Sequence, residues 1–123
     1  VFDISSLSWK NPTYLRDMPE ERCAAAAVVL KNKYLVVIGG ADKRGTVTAS
    51  CLIFDIWCNR WSSTPASMDM IKGRSDHTAA VLDREVVVAG GWDLNCSALA
   101  SVECIDADAL LEYAPLHYPL PTL

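Results

Sequence analysis

Two arginines, Arg22 and Arg74, stand 52 residues apart (74 − 22), each just ahead of an apolar run. A guanidinium is a rigid fork of five N–H donors that suits carboxylates, phosphates or backbone carbonyls. Two roles are open to this pair: gripping an acidic partner, or tying sheets together through carbonyl groups. Ser75, Asp76 and His77 supply the three groups of a hydrolytic triad in consecutive positions. Neighbours along a strand point to opposite faces, so these three do not form that relay. His77 and His117 are the only histidines and have no ligand-like spacing; a structural role is expected for His77 and a surface position for His117. The five cysteines are odd in number and contain no Cys-x-x-Cys pair, which speaks against a zinc ribbon and against a complete disulfide framework. Reduced, mostly buried thiols are expected instead. No set of nucleophile, base and orienting group stands out, so no catalytic residue, no metal and no cofactor is assigned.

Gly39-Gly40 follows an apolar run and leads into Ala41-Asp42-Lys43-Arg44-Gly45, the outline of a phosphate loop. A dinucleotide fingerprint needs its glycines to open a helix, and Thr46-Val47-Thr48 is a poor helix start. The pair also returns as Gly90-Gly91, 51 positions on (90 − 39). Recurrence favours a backbone role, with glycine supplying positive φ or close packing where the chain leaves a strand.

These landmarks belong to a repeat. Phe2, Trp9, Met18, Arg22 and Leu30 match Phe54, Trp61, Met70, Arg74 and Leu82 at the longer offset, while the diglycines and the Asp55/Asp106 pair match at the shorter one. The lost residue falls in a turn, where Lys31-Asn32-Lys33 faces Asp83-Arg84. Each unit reads as four strands. The first two, residues 24–30 and 34–40 in one unit, form an antiparallel hairpin across that short turn. In the second strands Val36-Val37-Ile38 and Val86-Val87-Val88 are apolar without alternation, which suits a strand covered on both faces. A polar loop follows at residues 41–49 or 92–100, then a third strand at 51–55 or 102–106, and a short fourth centred on Trp61. The small residues Ala24, Ala25, Ala26, Ala27, Ala79 and Ala80 suit innermost strands crowding near an axis if the sheets are arranged radially.

Composition bounds the function. The chain has 123 residues, 51% of them hydrophobic, with 11 Lys and Arg against 15 Asp and Glu for a formal charge of −4. That is a folding composition without a basic stripe, which argues against nucleic acid as a partner and likewise against an acidic membrane surface. The apolar runs are far shorter than the roughly 20 residues of a membrane helix, and no signal-peptide pattern begins the chain. A cytoplasmic location is the expectation.

With Arg22, the hairpins, Gly39-Gly40, Phe54-Asp55 and Trp61 in register with Arg74, Gly90-Gly91, Glu103, Ile105 and Asp106, the sequence resembles the kelch repeat, whose units each build one blade of a β-propeller. The resemblance implies an all-β fold, a kelch-type propeller fragment of four-stranded antiparallel blades. Residues 1–21 would hold the outer half of a preceding blade and its connecting loop, 22–73 one blade, and 74–123 a second whose outer strand is degenerate. That second unit lacks a tryptophan equivalent to Trp61, and Leu110, Leu111 or Tyr113 would anchor it differently. Remaining blades are expected outside this segment.

In such blades the turns after strands two and four share one face, and here those are the long ones. Recognition usually resides in long loops on a rigid scaffold, so a protein partner is expected there. The contact candidates are Arg22, Arg74, Trp92, Asp93, Asn95, Asp42, Lys43 and Arg44. Arginines at this repeat position contact acidic peptides in some kelch propellers, as the resemblance implies. Gly39, Gly40, Gly90, Gly91, Trp9, Trp61, Asp55 and Asp106 are assigned structural roles, the tryptophans packing blade on blade and the aspartates forming turns. Two alternatives accompany the resemblance: part of a copper oxidase-like propeller enzyme, which needs a Tyr and His cluster not seen in this segment, and the substrate-recognition arm of a ubiquitin ligase.

Overall fold

The computed structural model describes residues 2–3, 8–9 and 14–116. Strands β1 (Phe2–Asp3) and β2 (Ser8–Trp9) pair as a two-stranded antiparallel sheet. Strands β3 (Ala26–Leu30), β4 (Tyr34–Ile38), β5 (Cys51–Asp55) and β6 (Arg60–Ser63) form a four-stranded meander in chain order. Strands β7 (Thr78–Leu82), β8 (Glu85–Ala89) and β9 (Val102–Asp106) form the next sheet, followed by the helix α1 (Ala107–Leu111). Every pairing is antiparallel, and the described chain is nearly all-β.

The hairpin turns behave as their sequences require. Lys31 and Asn32 both adopt φ of 53°, and Asp83 does the same in the shorter turn. Asparagine and aspartate tolerate this region better than most residues. The expected first strand at residues 24–30 begins two residues later, because Ala24 has φ of 54° and Cys23 instead bridges Ala41.

The two larger sheets pack through β3 and β7, which lie against each other. Val28, Leu30, Val36, Ile38, Cys51 and Ile53 of one sheet and Val86 and Val88 of the other make the shared core. Because β4 is covered on both faces, Val36, Val37 and Ile38 are all buried, whereas β8 alternates, with Val86 and Val88 buried and Val87 half-buried. That alternation departs from the expected two-sided burial, since nothing among the described residues covers the far face of β8.

The second unit does not repeat β6. Asp106 adopts an extended conformation and its Oδ1 accepts from the amides of Asp108 and Ala109, capping α1. The run Ala107-Asp108-Ala109-Leu110-Leu111 then continues as helix because alanine and leucine are strong formers. Leu110 is 1% exposed and inserts into the core between the sheets. At the equivalent point of the first unit, Asp55 Oδ1 accepts from Trp57 and Cys58 and Asn59 has φ of 55°, so the chain turns back into β6.

The tryptophans differ from the blade-on-blade expectation. Trp9 is 79% exposed, on a two-stranded sheet of two residue pairs that is too narrow to bury an indole. Trp61 stacks within its own sheet, on Phe54 with ring centroids 4.8 Å apart, and its Nε1 donates to the Arg16 carbonyl at 3.0 Å. Cysteine burial is also corrected: Cys51 alone is buried, Cys58 is intermediate, and Cys23, Cys96 and Cys104 are exposed. Burial pushes the Cys51 thiol up to about 11, so it stays a protonated core side chain. His117 lies outside the described residues. No described helix is long and apolar enough to cross a membrane.

Candidate interaction surface

The diglycines set the loops. Gly39 and Gly40 adopt φ of 61° and 94°, and Gly90 and Gly91 follow with 69° and 90°. A Cβ on Gly39 would meet the Arg74 carbonyl at 2.8 Å, and one on Gly91 would meet the Ser75 carbonyl at 2.5 Å. These glycines let a neighbouring backbone come within hydrogen-bonding distance, as where the Gly40 amide donates to the Arg74 carbonyl at 2.7 Å.

Beyond them the chain builds the same loop twice. Asp42 Oδ1 accepts from the amides of Arg44 and Thr46, and Asp93 Oδ1 accepts from those of Asn95 and Ser97. The Asp42 amide donates to the Thr46 carbonyl at 3.0 Å, and the Asp93 amide to the Ser97 carbonyl at 3.0 Å. Each tip closes through a residue of positive φ, Gly45 or Cys96. The loop bases are fixed too, since Thr48 donates to the Gly40 carbonyl and Leu99 to the Gly91 carbonyl. Asp42 and Asp93 therefore shape loops whose side chains they leave free to vary.

What the tips present differs. Lys43 and Arg44 are exposed on the first, and Leu94 and Asn95 occupy the same places on the second. Trp92 is 47% exposed at the base of the second, where Ala41 is buried in the first. The Trp92 backbone exchanges hydrogen bonds with Ser75 at 2.8 and 3.0 Å. The loops adjoin, because the Arg74 amide donates to the Thr48 carbonyl at 3.3 Å and the next residue is the Ser75 that bridges Trp92. Leu94, 63% exposed, is the tip residue that sequence reasoning passed over; its place 51 positions (94 − 43) after Lys43 was the available signal.

The repeat arginines are committed to their own sheets. Arg22 donates from Nη1 to the carbonyls of Gly39 and Ser50, from Nη2 to Ser50 Oγ, and from Nε and Nη2 to Glu20. Arg74 donates from Nη1 to the carbonyls of Gly90 and Ser101 and from Nη2 to Ser101 Oγ and Glu103. Arg74 is fully buried and the Arg22 side chain is 2% exposed. Each guanidinium ties the end of its second strand to the start of its third, and its remaining terminal donor goes to a neighbouring carboxylate, Glu20 for Arg22 and Glu103 for Arg74. Burial would push the Glu103 carboxyl up, but the Ile71 and Lys72 amides and the Arg74 guanidinium outweigh it and hold it below its ordinary value.

His77 is buried beneath Gly39, and neither ring nitrogen has a hydrogen-bond partner among the described residues. Burial, aided by the Arg74 charge, holds its pKa below the ordinary value against the opposing influence of the Ile38 backbone and Asp76. A neutral imidazole packed under Gly39 fills space and is not placed as a base. Among the described residues no three His, Cys, Asp or Glu side chains gather as a metal site.

A family model described as the KLHDC2/KLHL20/DRC7 Kelch-repeats domain matches residues 1–111. No curated protein matches the chain.

Proposed function

The chain belongs to the kelch-repeat family, and on that premise we propose that it is a protein-interaction module that binds its partner through the face formed by residues 41–49 and 92–100. One observation carries this reading: two loops with the same internal hydrogen-bond frame hold different side chains at their tips, Lys43 and Arg44 on one and Leu94 and Asn95 on the other. A frame fixed by backbone and aspartate bonds loses little entropy on binding, while exchangeable tips set specificity. Trp92 is the expected anchor, a half-exposed indole at the base of the second loop. Arg22 and Arg74 act behind this surface by fixing the strand ends from which the loops leave.

Cross-linking of the full-length protein to its partners in cells, read by mass spectrometry, tests the assignment. Partner cross-links are expected at Lys43 with an amine-directed reagent and at the exposed Cys96 with a thiol-directed one. Cross-links confined to the hairpin-turn end, at Lys31 and Lys33, would overturn it.

A further inference from the structure

Thr46 and Ser97 are equivalent hydroxyl residues, 51 positions apart (97 − 46), at the ends of the two loop tips. Their surroundings match. Each amide donates to the aspartate that frames its loop, each carbonyl accepts from that aspartate's amide, and both residues are exposed. The residues before them do not match: Lys43-Arg44-Gly45 precedes Thr46, and Leu94-Asn95-Cys96 precedes Ser97. Cations two and three places ahead of an exposed hydroxyl form a charge pattern that kinases with acidic substrate clefts select. Ser62 also follows an arginine, Arg60, by two places, but it is paired with Ile53 inside β6 and its Oγ donates to the Tyr113 carbonyl at 2.6 Å.

We propose that Thr46 is a phosphorylation site for a serine/threonine kinase directed by basic residues, with MgATP as the phosphoryl donor. In the transfer the bond from Thr46 Oγ1 to the γ-phosphorus forms as the bond from that phosphorus to the bridging oxygen of ADP breaks. The hydroxyl proton passes to the aspartate of the kinase catalytic loop. A kinase cleft takes an extended segment, and the tip is held closed only by bonds of Asp42 to Arg44, Gly45 and Thr46, at 2.8 to 3.0 Å. Those of the Asp42 carboxylate lie exposed at the surface, so the tip opens at low cost while the bond from Thr48 to Gly40 keeps its base. Open space beside Gly45, where a Cβ would meet nothing within 4 Å, leaves room for the cleft.

Phosphate inverts what the tip presents. Asp42, Lys43 and Arg44 carry a net charge of +1, and a phosphate of about −2 turns the tip to about −1. A groove of about 310 Å³ beside Thr46 is lined by Glu20, Glu21 and Asp42. These carboxylates repel the phosphate toward Lys43 and Arg44, where charge-assisted hydrogen bonds hold it. That this tip lies on a binding face rests on the proposed function; phosphorylation of Thr46 does not, so the two fail separately.

The test incubates the full-length protein with MgATP and the catalytic subunit of cyclic AMP-dependent protein kinase, and quantifies each site by phosphopeptide mass spectrometry. Phosphate is expected on Thr46 of the folded protein, with Ser97 and Ser62 unmodified. Arg44→Ala is expected to slow the reaction about tenfold or more, and Leu94→Lys together with Asn95→Arg to make Ser97 a second site. An unmodified Thr46, equal modification of Ser97 in the natural sequence, or a rate indifferent to Arg44→Ala each overturns the proposal. Modification that appears only after heat unfolding overturns it too, because the site is then not one the folded loop offers.

Discussion

Glu103 meets the guanidinium of Arg74 at 3.0 Å with both side chains largely withdrawn from water, whereas the equivalent Arg22 pairs with a Glu20 that is 56% exposed. The two repeats thus solve one problem at different depths. Removing Arg74 leaves the Glu103 carboxylate and the Gly90 and Ser101 carbonyls without its donors. Arg74→Ala is expected to cost about 3–5 kcal/mol, the range for breaking a buried pair from one side. Arg22→Ala frees a carboxylate that water can reach and costs less. Urea unfolding of the two variants measures the difference, and an equal or reversed order would contradict the burial argument.

The Gly39 position makes a sharper claim, because strain and space can be separated. Gly39 and Gly45 both have positive φ, but a Cβ on Gly45 meets nothing within 4 Å. Gly45→Ala therefore carries the left-handed penalty alone, about 1–2 kcal/mol. Gly39→Ala adds displacement of the Arg74 carbonyl and strain on its bond from Gly40, for roughly 2–3 kcal/mol in all. Thermal unfolding of both variants compares them; equal losses would show that the neighbouring backbone yields freely.

Much of this was legible in the sequence, since the strands and hairpins follow from a repeat with diglycine punctuation. The destination of the arginines was not. A guanidinium ahead of a strand reads alike whether it faces a loop or a carbonyl, and only Ser50 and Ser101, in register with one another, hinted at the latter. The aspartates Asp42 and Asp93 read as contact residues, because a sequence shows their charge and not the amides that consume it. The helix after Asp106 had a signal that the repeat masked. Asp55 precedes Ile56 and Trp57, but Asp106 precedes a run of alanine and leucine, which is a capped helix start.

Acid should act in two stages. His77 has a lowered pKa in the folded state, so the unfolded chain takes up its proton first, and stability falls as pH drops below the ordinary histidine value of about 6.5. Glu103 and Asp55 have folded pKa values below their ordinary ones. For Asp55 burial raises the value, and the Lys33 ammonium at 3.1 Å with the Cys58 and Trp57 amides more than offsets it. The stability these carboxylates confer is complete above about pH 5 and is lost as pH falls through their folded values. Denaturation midpoints measured from pH 7.5 to 3 should show both steps. His77→Phe should abolish the upper step and keep the lower one; persistence of the upper step would assign it to another group.

The loop face yields a prediction that separates binding from folding. Trp92 holds Ser75 through its backbone, and Leu94 and Arg44 are exposed tip residues whose backbone positions are set by Asp93 and Asp42. Truncating these three side chains removes no described side-chain hydrogen bond of the frame, so Leu94→Ala and Arg44→Ala should each shift stability by no more than about 0.5 kcal/mol, as ordinary surface changes do, and Trp92→Ala, which gives up the buried half of its indole, by about 1–2 kcal/mol. On partner affinity the expected order is Trp92 first, with a loss of about 2 kcal/mol or roughly thirtyfold, and the tip residues less. Affinity of the full-length variants for a partner cross-linked to this face, measured by calorimetry beside their unfolding curves, checks both halves. If Trp92→Ala keeps full affinity, the indole is not the anchor; if its stability loss equals or exceeds its affinity loss, the residue supports the sheet and the contact lies elsewhere on the loops.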